Sequence, residues 1–304
     1  MSYEIKTFSV PSSDNIHTLQ GKLFIPNGEI KGLLHIVHGM TEYIDRYDHL
    51  MSFLAENGYV AFGFDNLGHG KTVRDQSELG FIAHQNGWKY LVHDCFVFAN
   101  AVKSLYPSKD LILMGHSMGS FIARLAAEYK PFFYKKLIIC GTSGANPLSK
   151  IGLGFAKLMR LIKGEKHVSE TILNLAFGSY NKTFSDETPY EWLTKDREII
   201  KKYSLDPLCT FKFTLSAMID LMTLLDACNS KDWYQGINKA MPILLISGDS
   251  DPVGNYGKGV TEVYNKLIDQ DATATLKLYE NCRHEIHNDS CKDEMFSDIL
   301  SFIS

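Results

Sequence analysis

The 304-residue chain has no apolar run long enough to cross a bilayer. Its opening residues, Met1-Ser-Tyr-Glu-Ile-Lys6, lack a basic stretch followed by an apolar one, so no secretory leader is expected and the expected location is the cytoplasm. No cluster of lysine and arginine interleaved with aromatics occurs, and the net charge is -4, which argues against a nucleic-acid partner. Six cysteines carry no C-x-x-C spacing, and none of the 11 histidines lies in an H-E-x-x-H or similar ligand pair. Neither a metal nor a cofactor is therefore expected, and the cysteines read as free thiols. Internal repeats and low-complexity stretches are missing as well. What remains, at 45% hydrophobic and 22% charged residues, is an ordinary globular composition with ample material for a core.

Short β-type runs at residues 3–9 and 18–25 flank the turn-rich Pro11-Ser-Ser-Asp-Asn15 and predict an opening pair of strands. Apolar strand runs then recur at residues 32–38, 59–64, 111–115 and 136–140, separated by helical patterns at 43–55, 88–105 and 118–129. Alternation of this kind specifies a parallel sheet with helices on both faces. From about residue 145 the strand signal stops, and helical stretches follow at 153–161, 169–176, 190–202 and 213–227. Strand and helix alternate again at 241–247, 258–268, 274–279 and 290–303. The expected organisation is an α/β core of residues 1–144 and 239–304, with a mostly parallel eight-stranded sheet, interrupted by a helical cap at 145–238.

At the end of the 111–115 run stands Gly115-His116-Ser117-Met118-Gly119, and a helical pattern begins at once. A G-x-S-x-G motif between strand and helix is the context of a nucleophile elbow, a turn that presents its serine on a strained backbone. A serine hydroxyl needs an imidazole to take its proton and a carboxylate to orient that imidazole. In this fold the order along the chain is Ser, then Asp or Glu, then His. Ser117 is followed by Asp249 and Asp251 at the end of one strand run and by His284 and His287 after another. His284 comes first in its loop, where a base would stand, whereas His287 moves toward the last helix. Asp249-Ser250-Asp251-Pro252 leaves both carboxylates open and would also suit a plain turn.

An oxyanion hole requires two backbone N–H donors, one from the residue after the nucleophile and one from the loop after an early strand; Met118 and Met40 occupy those places. His38, Gly39 and His116 stand at the same mouth and are candidates for contact with substrate, along with cap residues not yet identified. Histidines 38, 69 and 116 would otherwise satisfy loop backbone groups. Glu42 reads as a first-turn helix carboxylate, or as a residue that orients the loop carrying Met40. Phe211 to Leu225 is apolar over more than one face and suits either packing within the insertion or, with Leu153, Phe155, Leu158 and Met159, a lid over a lipophilic guest.

Taken together, Val37-His38-Gly39-Met40-Thr-Glu42, Asp65-x-x-Gly68-His69-Gly70, the elbow, Gly248-x-x-Asp251 and Arg283-His284-Glu285 resemble an α/β-hydrolase of the monoacylglycerol lipase and lysophospholipase group, which overlaps the serine aminopeptidase-like hydrolases. The resemblance implies Ser117 as nucleophile, Asp251 as acid, His284 as base and Met40 and Met118 as oxyanion donors. It also implies hydrolysis of an ester with a lipophilic acyl chain through an acyl-serine, and the apolar insertion is suited to transient contact with lipid surfaces. The cap is the part matched least. A small-ester carboxylesterase, a thioesterase, a peptidase or a catalytically silent binding protein would share the same core.

Overall fold

Strands β3 (Gly32–Val37), β4 (Tyr59–Phe64), β5 (Leu111–His116) and β7 (Ile243–Gly248) are buried at every residue, so both of their faces need cover. In the computed structural model, which describes residues 2–184 and 187–304, that cover comes from helices on the two sides of one eight-stranded sheet. With β1 (Tyr3–Pro11), β2 (Thr18–Pro26), β6 (Lys136–Cys140) and β8 (Ala274–Tyr279), the strand order is β1-β2-β4-β3-β5-β6-β7-β8. β1 and β2 form the expected antiparallel hairpin, β2 meets β4 antiparallel, and all later pairings are parallel.

Helices α1 (Asp48–Glu56) and α10 (Lys292–Ile303) cover one face, where Leu50, Met51, Leu54, Met295 and Ile299 pack on Leu34, Ile36, Ile112 and Ile138. Helices α2 (Gly87–Leu105) and α3 (Met118–Tyr129) cover the other, with Phe98, Val102, Ile122 and Ala126 set against Leu33, Val37, Leu113 and Ile139. α9 (Lys258–Ile268) adds Val260, Val263 and Leu267 to the same side. Alternate strand residues thus enter different cores, as period-2 geometry requires.

Between β6 and β7 the described residues contain helices and no strand: α4 (Pro147–Lys163), α5 (Glu170–Phe177), α6 (Arg197–Leu205), α7 (Leu215–Cys228) and α8 (Lys231–Gly236). Four of these start at a residue whose side chain accepts an N–H of the first turn, namely Ser169, Asp196, Thr214 and Ser230. α7 is buried along most of its length and packs on α2, α3 and α4, so its apolar surplus is spent on packing. The expected helix over 190–202 is a finding of difference: it begins only at Arg197, because Asp196 caps it and the preceding residues bond elsewhere. The cysteine reading also changes. Cys282 and Cys291 pair as a disulfide across the loop after β8, while Cys95, Cys140, Cys209 and Cys228 are free and buried.

Candidate active site

Parallel strands deliver their C-terminal loops to one edge of the sheet, and register decides which residues meet there. Val37 pairs with Gly115, His116 with Cys140, and Gly248 with Tyr279, so the loops after β3, β5, β7 and β8 open side by side. Ser117 has φ 54° and ψ -124°, a left-handed conformation rare for a residue with a side chain, and its N–H donates to the Cys140 carbonyl at 3.0 Å. It occupies the N-cap position of α3, yet its hydroxyl makes no capping bond to that helix. The flanking glycines are dictated by close approach. A Cβ on Gly115 would strike the Gly119 carbonyl, and one on Gly119 would strike the carbonyls of Val37 and His38.

His284 is buried in the loop after β8, with Nδ1 2.9 Å from Oδ2 of Asp251. Asp251 is fully buried, accepts the Val253 N–H on Oδ1 at 2.8 Å and the Ser247 hydroxyl on Oδ2 at 3.3 Å, and is thereby held as an acceptor. The imidazole Nδ1 must then carry the proton, which leaves Nε2 with a lone pair. The geometry brings Asp251 rather than Asp249 to His284; the Asp249 carboxylate accepts from the Ser250 hydroxyl instead.

Behind these residues lies a buried ionic network. Glu42 accepts from the Gly39 N–H at 2.5 Å, the Tyr47 hydroxyl at 2.8 Å and Arg46 Nη1 at 3.0 Å, and faces His116 Nδ1 at 3.2 Å. Of the two roles open to Glu42, the contact made is with the loop carrying Met40. Arg46 also binds both oxygens of Glu285 at 2.6 Å, tying the β3 loop to the residue after His284. His116 Nε2 faces the His284 carbonyl at 3.2 Å. A carbonyl only accepts, and the Tyr47 hydroxyl already donates to Glu42, so both nitrogens of His116 act as donors. Burial pushes His116 toward the neutral form, but the bond and charge of Glu42 outweigh it and raise its pKa. Burial likewise pushes Glu42 up, and His116 and Arg46 together hold it well below the usual carboxylate range.

Two sequence-level candidates change place. His38 is fully buried, with Nδ1 2.8 Å from the Gly39 carbonyl and Nε2 accepting the Asn66 N–H at 2.8 Å. With His116 similarly engaged at both nitrogens, neither ring has a nitrogen left for substrate, and both hold loops. Gly39 remains at the mouth, where a Cβ would lie 2.9 Å from that of Ser117. His287 is buried and stacks on Tyr47 at 4.5 Å, at an interplanar angle of 16°. Met40 precedes Thr41, whose φ is 50°; Tyr203 of α6 donates to the Thr41 carbonyl at 3.0 Å, so the insertion braces this loop too. Arg46 and Tyr203 were not among the sequence candidates. Arg46 had a signal, four residues after Glu42 at ion-pair spacing, whereas Tyr203 had none.

Residues 28–291 match the model of the family described as serine aminopeptidase, S33. The chain belongs to the S33 family. Among curated relatives, the monoglyceride lipase of Rattus norvegicus is 25% identical over 270 residues, covering 87% of this chain and 78% of its own. A solved carboxyl esterase from Bacillus coagulans superposes with a TM-score of 0.91 at 29% identity, over 98% of this chain and 97% of that one. The fold is also that of a monoglyceride lipase from Saccharomyces cerevisiae, with a TM-score of 0.77 at 21% identity over 100% and 96% of the two chains. No helix among the described residues is long and apolar enough to cross a membrane.

Proposed function

We propose that this S33 hydrolase cleaves carboxylic esters with a lipophilic acyl chain, of the monoacylglycerol or lysophospholipid type, through an acyl-Ser117 intermediate. The observation that carries the reading is the elbow serine at φ 54°, whose hydroxyl does not cap the helix it starts, together with an imidazole whose Nδ1 lies 2.9 Å from Asp251. In the first step Nε2 of His284 takes the Ser117 proton as Oγ attacks the ester carbonyl. Asp251 keeps the imidazole in the needed tautomer and stabilises the imidazolium that forms. The N–H groups of Met40 and Met118 receive the oxyanion, an interaction stronger in the tetrahedral state than with the ground-state carbonyl. His284 then protonates the departing alcohol, and a water activated by the same Nε2 releases the acid.

Lipophilic substrate is supported by the relatives' names and by the outer surface of the insertion. On α4 and α5, Ile151, Leu158, Leu161, Ile162 and Leu175 are 55–82% exposed, with Lys150, Lys157 and Lys163 also exposed on α4. An apolar helix face rimmed by lysines suits transient contact with an anionic lipid surface. Reaction with a fluorophosphonate, read by mass spectrometry, should place one adduct on Ser117; folded protein without it would leave a silent binder. A p-nitrophenyl ester series should show kcat/KM rising from acetate to longer chains, and a preference for acetate would return the reading to a small-ester carboxylesterase. The family's description favours a peptidase as second reading, which turnover of aminoacyl p-nitroanilides in place of esters would establish.

A further inference from the structure

Residues 190–195 of the insertion run without helix across the loop that carries His284, and the contacts between them are reciprocal. The His284 N–H donates to the Trp192 carbonyl at 3.3 Å and the Glu285 N–H to the Leu193 carbonyl at 2.7 Å. From the insertion side, the Thr194 hydroxyl donates to the Asn288 carbonyl at 2.7 Å and the Lys195 N–H to Asp289 Oδ1 at 3.4 Å. Arg283 reaches back to the carbonyls of Glu191 and Thr194, with the fully buried Glu191 carboxylate 3.5 Å away. The indole of Trp192 lies against the His284 imidazole, with ring centroids 5.1 Å apart at 39°. His116 is a second ring neighbour of the imidazole, at 4.7 Å and 42°. Tyr180 backs the indole at 5.2 Å.

The core therefore supplies one ring neighbour of the imidazole and the insertion another. The backbone of residue 284 is divided in the same way, since its carbonyl is held by His116 of the core and its N–H by residue 192. We infer that residues 190–195 are a positioning strap for the base, and that the Trp192 ring fixes the plane in which His284 Nε2 meets Ser117. The flat indole face does two things a merely apolar side chain would not. It limits rotation of the imidazole about the Nδ1 bond to Asp251, and it offers a π-surface to the imidazolium of each half-reaction. Movement of the insertion would thus carry the base with it, so the helical segment belongs to the catalytic apparatus as well as to substrate access.

The inference rests on His284 being the base. Trp192→Phe keeps a flat ring and Trp192→Leu keeps apolar bulk without one. The expected result is kcat within about threefold of the wild type for the phenylalanine variant, and a fall of about tenfold or more for the leucine variant with KM within about twofold. Fluorophosphonate labelling of Ser117, which also needs the base, should slow in the same order. Melting temperatures of both variants check that each is folded. Equal kcat in the two variants, or a leucine effect confined to KM, would overturn the positioning role. A His284→Ala variant measured alongside separates the two readings: if it keeps turnover, the base assignment itself fails, whereas an inactive His284→Ala beside a fully active Trp192→Leu removes the strap alone.

Discussion

Glu42→Gln is the most informative single change, because one carboxylate holds the fold and the oxyanion loop together. Its oxygens receive Gly39 N–H, the Tyr47 hydroxyl, Arg46 and, at 3.2 Å, protonated His116. Glutamine retains one oxygen that can accept from Gly39 and Tyr47. Its amide group then turns two further donors toward the Arg46 side, where acceptors are needed. Arg46 keeps Glu285, so the arginine is not stranded. The loss is about one charge-assisted bond, plus the negative charge that raises the His116 pKa, which together predict roughly 3 kcal/mol of destabilisation. Activity should fall separately. Gly39 immediately precedes Met40, and losing a whole oxyanion donor costs about 10²–10³ in kcat, so a donor displaced by a loosened loop should cost roughly 10–100-fold. Urea unfolding measures the first quantity, and steady-state kinetics on p-nitrophenyl butyrate the second. Stability lowered as stated with kcat unchanged within about twofold would refute the link from Glu42 through Gly39 to Met40.

Replacement of His284 with alanine should lower kcat by roughly 10⁴-fold or more, whereas His287→Ala should leave kcat nearly intact and cost about 2–4 kcal/mol for the cavity beside Tyr47; the reverse pattern in kinetics and urea unfolding would exchange their roles. In Gly119→Ala, helix propensity favours alanine by about 1 kcal/mol, but the collision with the Val37 and His38 carbonyls should reverse the sign to a net loss of about 1–3 kcal/mol, and a raised melting temperature would contradict the elbow geometry. Burial pushes His35 and His69 down to about 3. Since the unfolded chain takes up those protons near pH 6.5, their contribution is complete above that value and is lost as pH falls toward 3, amounting to about 2 kcal/mol per histidine at pH 5. His35→Phe should therefore flatten the stability profile between pH 6.5 and 5 by about that amount, and an unchanged slope in urea titrations would show that His35 is protonated in the fold.

Legibility followed the range of the interactions. The sheet was readable because β3, β4, β5 and β7 are buried throughout and mostly apolar, and burial on both faces leaves that mark locally. The elbow was readable because close approach of three carbonyls demands glycine at fixed offsets from Ser117. Residues 190–196 misled, since their periodicity suits a helix while their carbonyls and N–H groups are engaged by the loop after β8. His38 and His116 misled for a related reason: proximity to the mouth is visible in order along the chain, but which atoms already occupy a ring nitrogen is not.

Local patterning in the chain specified the strands, their alternation with helices, the elbow and the order of Ser117, then Asp249 or Asp251, then His284. These follow from periodicity and from the few residue types that tight turns accept. Tertiary structure brought Asp251 rather than Asp249 to His284, and it raised the His116 pKa by setting that ring against Glu42. It also laid the insertion against both the base loop and the loop of Met40. Those choices depend on contacts between residues far apart in sequence, such as Arg46 with Glu285 and Trp192 with His284. A one-dimensional pattern carries no record of such contacts, because the register of a parallel sheet and the docking of an inserted segment are settled by packing over the whole domain.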